Sequence, residues 1–83
     1  MEQNYPNPFN PTTEIKFAIP TASDVKLNVY NINGQLVSEL VNGSEEAGIY
    51  KVSFDASNFN SGMYFYTLEV NGMSITKKMI LTK

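Results

Sequence analysis

Among its 83 residues the chain has no cysteine, no histidine, no arginine and no tryptophan. Without cysteine there is neither a disulfide framework nor a thiolate metal site. A small secreted domain that lacks disulfides points towards a bacterial origin more than an animal extracellular one. Without histidine the usual general base near neutral pH is missing, and so is the commonest metal ligand. All six basic residues are lysines, which removes the bidentate reader of phosphate and guanine. A net charge of −2 opposes a nucleic-acid partner, which needs clustered positive charge. No apolar run approaches the roughly 20 residues of a membrane helix, and no membrane insertion is expected. Met1-Glu2-Gln3-Asn4 is too polar to open a signal peptide and reads as an added start or a linker remnant.

What is present suits a small core. Hydrophobic residues make up 42% of the chain and aromatics 12%, enough for one domain of this length to bury roughly 60–65% of its unfolded surface. The hydrophobic pattern has a period of two almost throughout, with turn residues between the alternating runs. Strands are expected over 13–19, with Ile15, Phe17 and Ile19 on one face, and over 25–30, with Val25, Leu27 and Val29 aligned. A shorter strand spans 35–41, where Leu36-Val37 and Leu40-Val41 suit a bulged or doubly buried edge. Two more cover 49–54, with Tyr50, Val52 and Phe54 aligned, and 63–70, with Tyr64, Tyr66, Leu68 and Val70 aligned. The last runs over 73–81, with Met73, Ile75, Met79 and Leu81 inward around Lys77.

Asn33-Gly34, Asn42-Gly43 and Asn71-Gly72 each read as a turn. The third is the strongest hairpin signal, because alternation flanks it on both sides. Nothing reads as a helix. The expected fold is all-β, a small immunoglobulin-like antiparallel β-sandwich of about seven strands.

The segment Tyr5-Pro6-Asn7-Pro8-Phe9-Asn10-Pro11 stands apart. Proline fixes φ and pushes the preceding residue towards extended geometry. The expectation is a stiff, polyproline-like ribbon in which Tyr5 and Phe9 plug into the end of the core. Its asparagines would satisfy nearby backbone groups while the ribbon blunts an edge strand.

Chemistry has little to work with, and no catalytic, metal or cofactor site is expected. Glu45-Glu46 is the tightest acidic pair, but neighbours in a loop point apart. Asp24 and Asp55 have too few carboxylates around them for calcium. Asn42-Gly43-Ser44 matches a glycosylation sequon but reads more naturally as a turn. Met63 and Phe65 lie opposite the core-facing tyrosines, and with Tyr30 they offer a surface to a sugar. Lys77, Lys78 and Lys83 serve either to keep the final strand soluble or to meet another protein.

Four stretches taken together carry a resemblance: YPNPFNPTTEIKF, VKLNVYNINGQLVSELVNG, FDASNFNSGMYFYTL and TKKMILTK. The chain resembles, over 5–83, the type A C-terminal sorting domain of the type IX (Por) secretion system of Bacteroidetes. The resemblance implies a non-catalytic secretion signal that directs a folded cargo, fused on its N-terminal side, across the outer membrane. Localisation would be secreted or at the cell surface, by way of the periplasm, with cleavage ahead of Tyr5 in many relatives. The partners implied are the outer-membrane translocon and the surface attachment or sortase components. Motif positions that carry over are Pro6, Asn7, Pro8, Phe9, Gly34, Gly62 and Tyr64. The surface expected to meet the translocon is Lys77, Lys78, Met79, Ile80 and Lys83. The alternative is an immunoglobulin-like accessory, spacer or carbohydrate-binding module of a secreted enzyme.

Overall fold

The computed structural model describes residues 1–82. Six antiparallel strands form, β1 (Thr12–Ile19), β2 (Ser23–Asn31), β3 (Leu36–Glu45), β4 (Gly48–Asp55), β5 (Gly62–Val70) and β6 (Met73–Leu81). They are arranged as a two-stranded sheet β1-β4 facing a four-stranded sheet β3-β2-β5-β6. Among the described residues the strand count is therefore six rather than about seven. In place of a seventh strand, the proline segment makes two single bridges, Tyr5 with Glu14 of β1 and Phe9 with Leu81 of β6.

Period-two alternation sends Ile15, Phe17 and Ile19 from β1 and Phe54 from β4 into the space between the sheets. There they meet Val25, Leu27 and Val29 of β2, Tyr64, Tyr66 and Leu68 of β5, and Met79 and Leu81 of β6. The hairpin at Asn71-Gly72 forms as expected. Both residues take positive φ, 50° and 83°, which a two-residue turn demands and which asparagine and glycine tolerate.

Three expectations need correction. Asn42-Gly43 is no turn: β3 runs through it, with Lys26 opposite Asn42 and Val25 opposite Gly43, and continues to Glu45. The cross-strand ladder to β2 outweighs the local turn preference, because an extended backbone here satisfies donors that a turn would release. The doubled apolar pairs of β3 do mark bulges, as shifts of register at Leu27/Asn28 and Val29/Tyr30. Second, Met73 and Ile75 are not buried: they are 77% and 48% exposed. They share the inner face with Met79, but the opposing sheet has only two strands and does not reach over this end of β6.

Third, the proline segment is not a straight polyproline ribbon: it bends at 6–8 and again at 10–11. The chain passes from the edge of β1, at Tyr5, to the edge of β6, at Phe9. Phe9 is buried as expected, at 1% exposure, whereas Tyr5 is 81% exposed. Tyr5 exchanges both backbone hydrogen bonds with Glu14 at 3.0 Å, and that bridge turns its side chain to solvent. Asn4 takes the inward place instead, at 2% exposure.

Candidate recognition surface

Asn4, Thr13 and Tyr66 form a buried polar knot under the start of the ribbon. Asn4 Nδ2 donates to Thr13 Oγ1 at 2.9 Å and to the Pro6 carbonyl at 3.2 Å. Thr13 Oγ1 donates to the same carbonyl at 2.8 Å. The Asn4 N–H donates to the Tyr66 hydroxyl at 2.8 Å, which donates in turn to the Glu2 carbonyl at 3.2 Å. Each of these groups would be costly to bury alone. Burial pushes the Tyr66 hydroxyl above its usual pKa, opposed in part by the hydrogen bond from Asn4.

From this knot the ribbon crosses to the outer edge of β6. Gln3 Nε2 donates to the Lys78 carbonyl at 2.8 Å. The Ile80 N–H donates to Asn7 Oδ1 at 3.0 Å. Phe9 N–H donates to the Ile80 carbonyl, and Thr82 N–H to the Phe9 carbonyl, both at 2.9 Å. The side-chain carbonyl of Asn7 thus takes the place of a strand carbonyl opposite the Ile80 N–H. Phe9 then leads a series of rings at the end of the core, Phe9–Phe54 at 6.1 Å, Phe54–Phe59 at 5.8 Å and Phe59–Tyr64 at 6.1 Å between centroids. Tyr64 ends the series with its hydroxyl donating to the Asn60 carbonyl at 2.6 Å.

The structure accordingly joins motif positions from both ends of the chain. Asn7 and Phe9 sit against Ile80 and Leu81, Pro6 accepts from Asn4 and Thr13 in the polar knot, and Tyr64 shares the ring series with Phe9. Gly34 lies in the β2–β3 turn at φ 80°, away from this junction. Gly62 opens β5 opposite Leu81, and Pro8 is exposed.

The residues expected to meet a translocon are divided among different surroundings. Lys77 is half-buried on the inner face of β6, whereas Lys78 and Ile80 are exposed on the outer face. Adjacent strand residues point to opposite faces, so the two lysines cannot act as one pair. Met79 is fully buried and holds the strand in place from within. Lys83 lies outside the described residues.

The outer face supplies partners that spacing alone did not join. Register aligns Leu36, Tyr30, Phe65 and Lys78 in one row across all four strands, with Met63 and Ile80 beside it. Leu36 is exposed, and Tyr30, Phe65 and Met63 are half-buried. Leu36 was missed because its opposition to Tyr30 follows from a bulge. Gln3 and Asn4 were missed because they precede the motif. Phe59 had no signal beyond being aromatic in a loop. Also on this face is Asn28, whose Oδ1 is buried with no hydrogen-bond partner among the described residues.

No group of three or more potential metal ligands occurs among the described residues. Asp24 Oδ1 accepts from Ser44 Oγ at 2.9 Å and Asp55 Oδ1 from the Ser57 N–H at 2.9 Å, so each serves a loop or edge. The fold and its surfaces describe a β-domain whose stock in trade is shape and edge backbone rather than reacting side chains. The chain belongs to the family of secretion-system C-terminal sorting domains, which matches residues 3–82. Its role is that of a non-catalytic C-terminal signal of the type IX secretion apparatus, and family membership supports an extracellular or surface destination. No curated protein and no solved structure matches the chain.

Proposed function

We propose that the domain is a folded address, read by an outer-membrane translocon after its cargo has folded in the periplasm. The reading is carried by one observation: the family's opening motif and its final strand are hydrogen-bonded into a single unit. A label of this kind needs a shape that exists before it is recognised, because a preordered surface has less entropy to lose on binding. The two facing sheets and the bridging ribbon form an immunoglobulin-like sandwich in which the ribbon does the work of a seventh strand. Residues 5–83 constitute the sorting domain, and the cargo is attached on the N-terminal side.

In this reading Lys78 and Ile80 present the outer face together with Met63 and Phe65, and Lys77 and Lys83 add charge. Met79 contributes by anchoring the strand. An apolar row with a cation at its end suits a protein surface that offers carboxylates beside apolar side chains. Surface attachment or sortase components would act after transport. The test is to fuse residues 1–83 to a periplasm-directed fluorescent reporter in a bacterium with this secretion route. The reporter is expected in the medium or on the cell surface, and Lys77→Glu with Lys78→Glu is expected to retain it. Wild-type export by the double variant would discard the lysines while leaving the address role intact.

The half-exposed row of Tyr30, Phe65 and Met63 favours one second reading, a sugar-binding accessory module. Retardation of the purified domain by immobilised polysaccharide, lost in Phe65→Ala, would select it.

A further inference from the structure

The ribbon covers only part of the last strand. Even-numbered residues of β6 from Lys78 onward turn their backbone groups outward, to Gln3, Asn7 and Phe9. By the alternation of an antiparallel pair, Ser74 and Thr76 turn theirs outward as well. Among the described residues no hydrogen bond reaches those groups. Met73 to Thr76 has no charge, no proline and an unbroken register with β5.

Every other edge is blunted. The ladder of β3 to β2 is broken by two register shifts, β1 is bridged by Glu2 and Tyr5, and β4 carries Lys51 among its outward-turned residues. Folded proteins do not usually leave a flat apolar edge unprotected. Beside the bare stretch a groove of about 320 Å³ opens between the end of β1 and the inner face of the β5–β6 hairpin. Met1, Pro20, Leu68, Val70, Met73 and Ile75 line it.

We infer that Met73–Thr76 and this groove form a docking site for one extended strand of the transport machinery, which lengthens the four-stranded sheet by one. The occupant is a strand because unpaired N–H and C=O groups spaced along a sheet edge are matched only by another extended backbone. The chain itself provides the precedent: the ribbon binds the same edge further along, by the same bonds, with an apolar side chain, Phe9, turned inward. The incoming strand is apolar on the side that covers Met73 and Ile75. It carries a carboxylate where it passes Lys77, which lies on that same inner face. Lys77 then sets register, and the backbone supplies adhesion.

This inference rests on the address-tag reading, and its test keeps the two apart. Proline at 74 or 76 deletes an outward N–H without removing any backbone bond to β5, a position that tolerates proline; at 76 it also removes the side-chain hydrogen bond to Thr67 at 2.9 Å, whereas Ser74→Pro leaves that bond in place. In the reporter assay, Ser74→Pro and Thr76→Pro are expected to cut export by about tenfold, the effect of losing one or two backbone hydrogen bonds. Ile75→Lys, an inward-pointing charge at the edge, should do the same. Ser53→Pro, which deletes an outward N–H on β4, should be exported normally. Circular dichroism and melting of the purified domains check that each is folded, and Ile75→Lys decides the matter if the prolines unfold.

If the wild-type fusion itself stays inside, the address reading has failed. If the wild type is exported and folded Thr76→Pro and Ile75→Lys are exported equally, the docking site is wrong and the address reading survives. Light scattering that finds a wild-type dimer, made monomeric by Ile75→Lys, would assign the edge to a second copy of the chain and overturn the inference.

Discussion

From Lys78 to Leu81 the last strand is held on both edges, by β5 on one side and the N-terminal ribbon on the other. From Met73 to Thr76 it is held on one. Residue types do not explain the difference, since both halves alternate and both have apolar residues on the inner face. Position explains it. The covered half lies beneath the two-stranded sheet and beside the proline motif, so Met79 and Leu81 are sealed. The other half projects beyond that cover. A domain of this size has little stability to spare, and it spends the ribbon on the half where the core is closed. The remaining half is left for something outside the molecule.

Four changes would break or sharpen this contrast. Phe9→Ala removes the ring that locks the ribbon into the core, and urea titration should show a loss of about 3–5 kcal/mol, enough to unfold many domains of this size. An intact, stable fold would mean that the covered half does not need its ribbon. Tyr66→Phe deprives the buried Asn4 N–H of its acceptor and should cost about 1–3 kcal/mol in the same titration.

Tyr66 also sets a pH dependence. Its folded pKa is raised, so the native state holds the phenolic proton more firmly than the unfolded chain does. That stabilisation is fully present below about pH 10, the ordinary tyrosine value, and disappears as pH rises through the folded pKa. Melting temperatures measured across this range should fall for the wild type and fall less for Tyr66→Phe.

Asn7→Ala takes away the side-chain acceptor for the Ile80 N–H. At this exposed edge water can replace it, so the loss should be about 0.5–1.5 kcal/mol, and hydrogen exchange should quicken at Ile80. Smallest of all, Ile75→Lys on the bare half should shift stability by no more than about 0.5 kcal/mol, as for a surface site. A large loss there would show that Ile75 belongs to the core and that the bare half is bare in appearance only.

Much of the fold was legible. Alternation located all six strands to within a few residues, and Asn71-Gly72 announced its hairpin because propensity and pattern agreed there. Asn42-Gly43 misled for the opposite reason: a local turn preference met a ladder already committed to β2. The outer row was half legible, since Phe65 and Met63 were seen to oppose the core, yet their meeting with Lys78, Ile80 and Leu36 depends on register. Tyr5 and Asn4 were interchanged because hydrophobicity favours the tyrosine, while the bridge to Glu14 faces it outward.

Sequence alone therefore determined the all-β character, the inward face of five of the six strands and the absence of cysteine and histidine. These follow from period-two patterning and from residue types that are simply missing. Only the tertiary structure decided which strand edges are covered and that the chain's start is bound to its last strand. Those outcomes depend on hydrogen bonds between residues more than seventy positions apart, and no local preference encodes a partner at that distance.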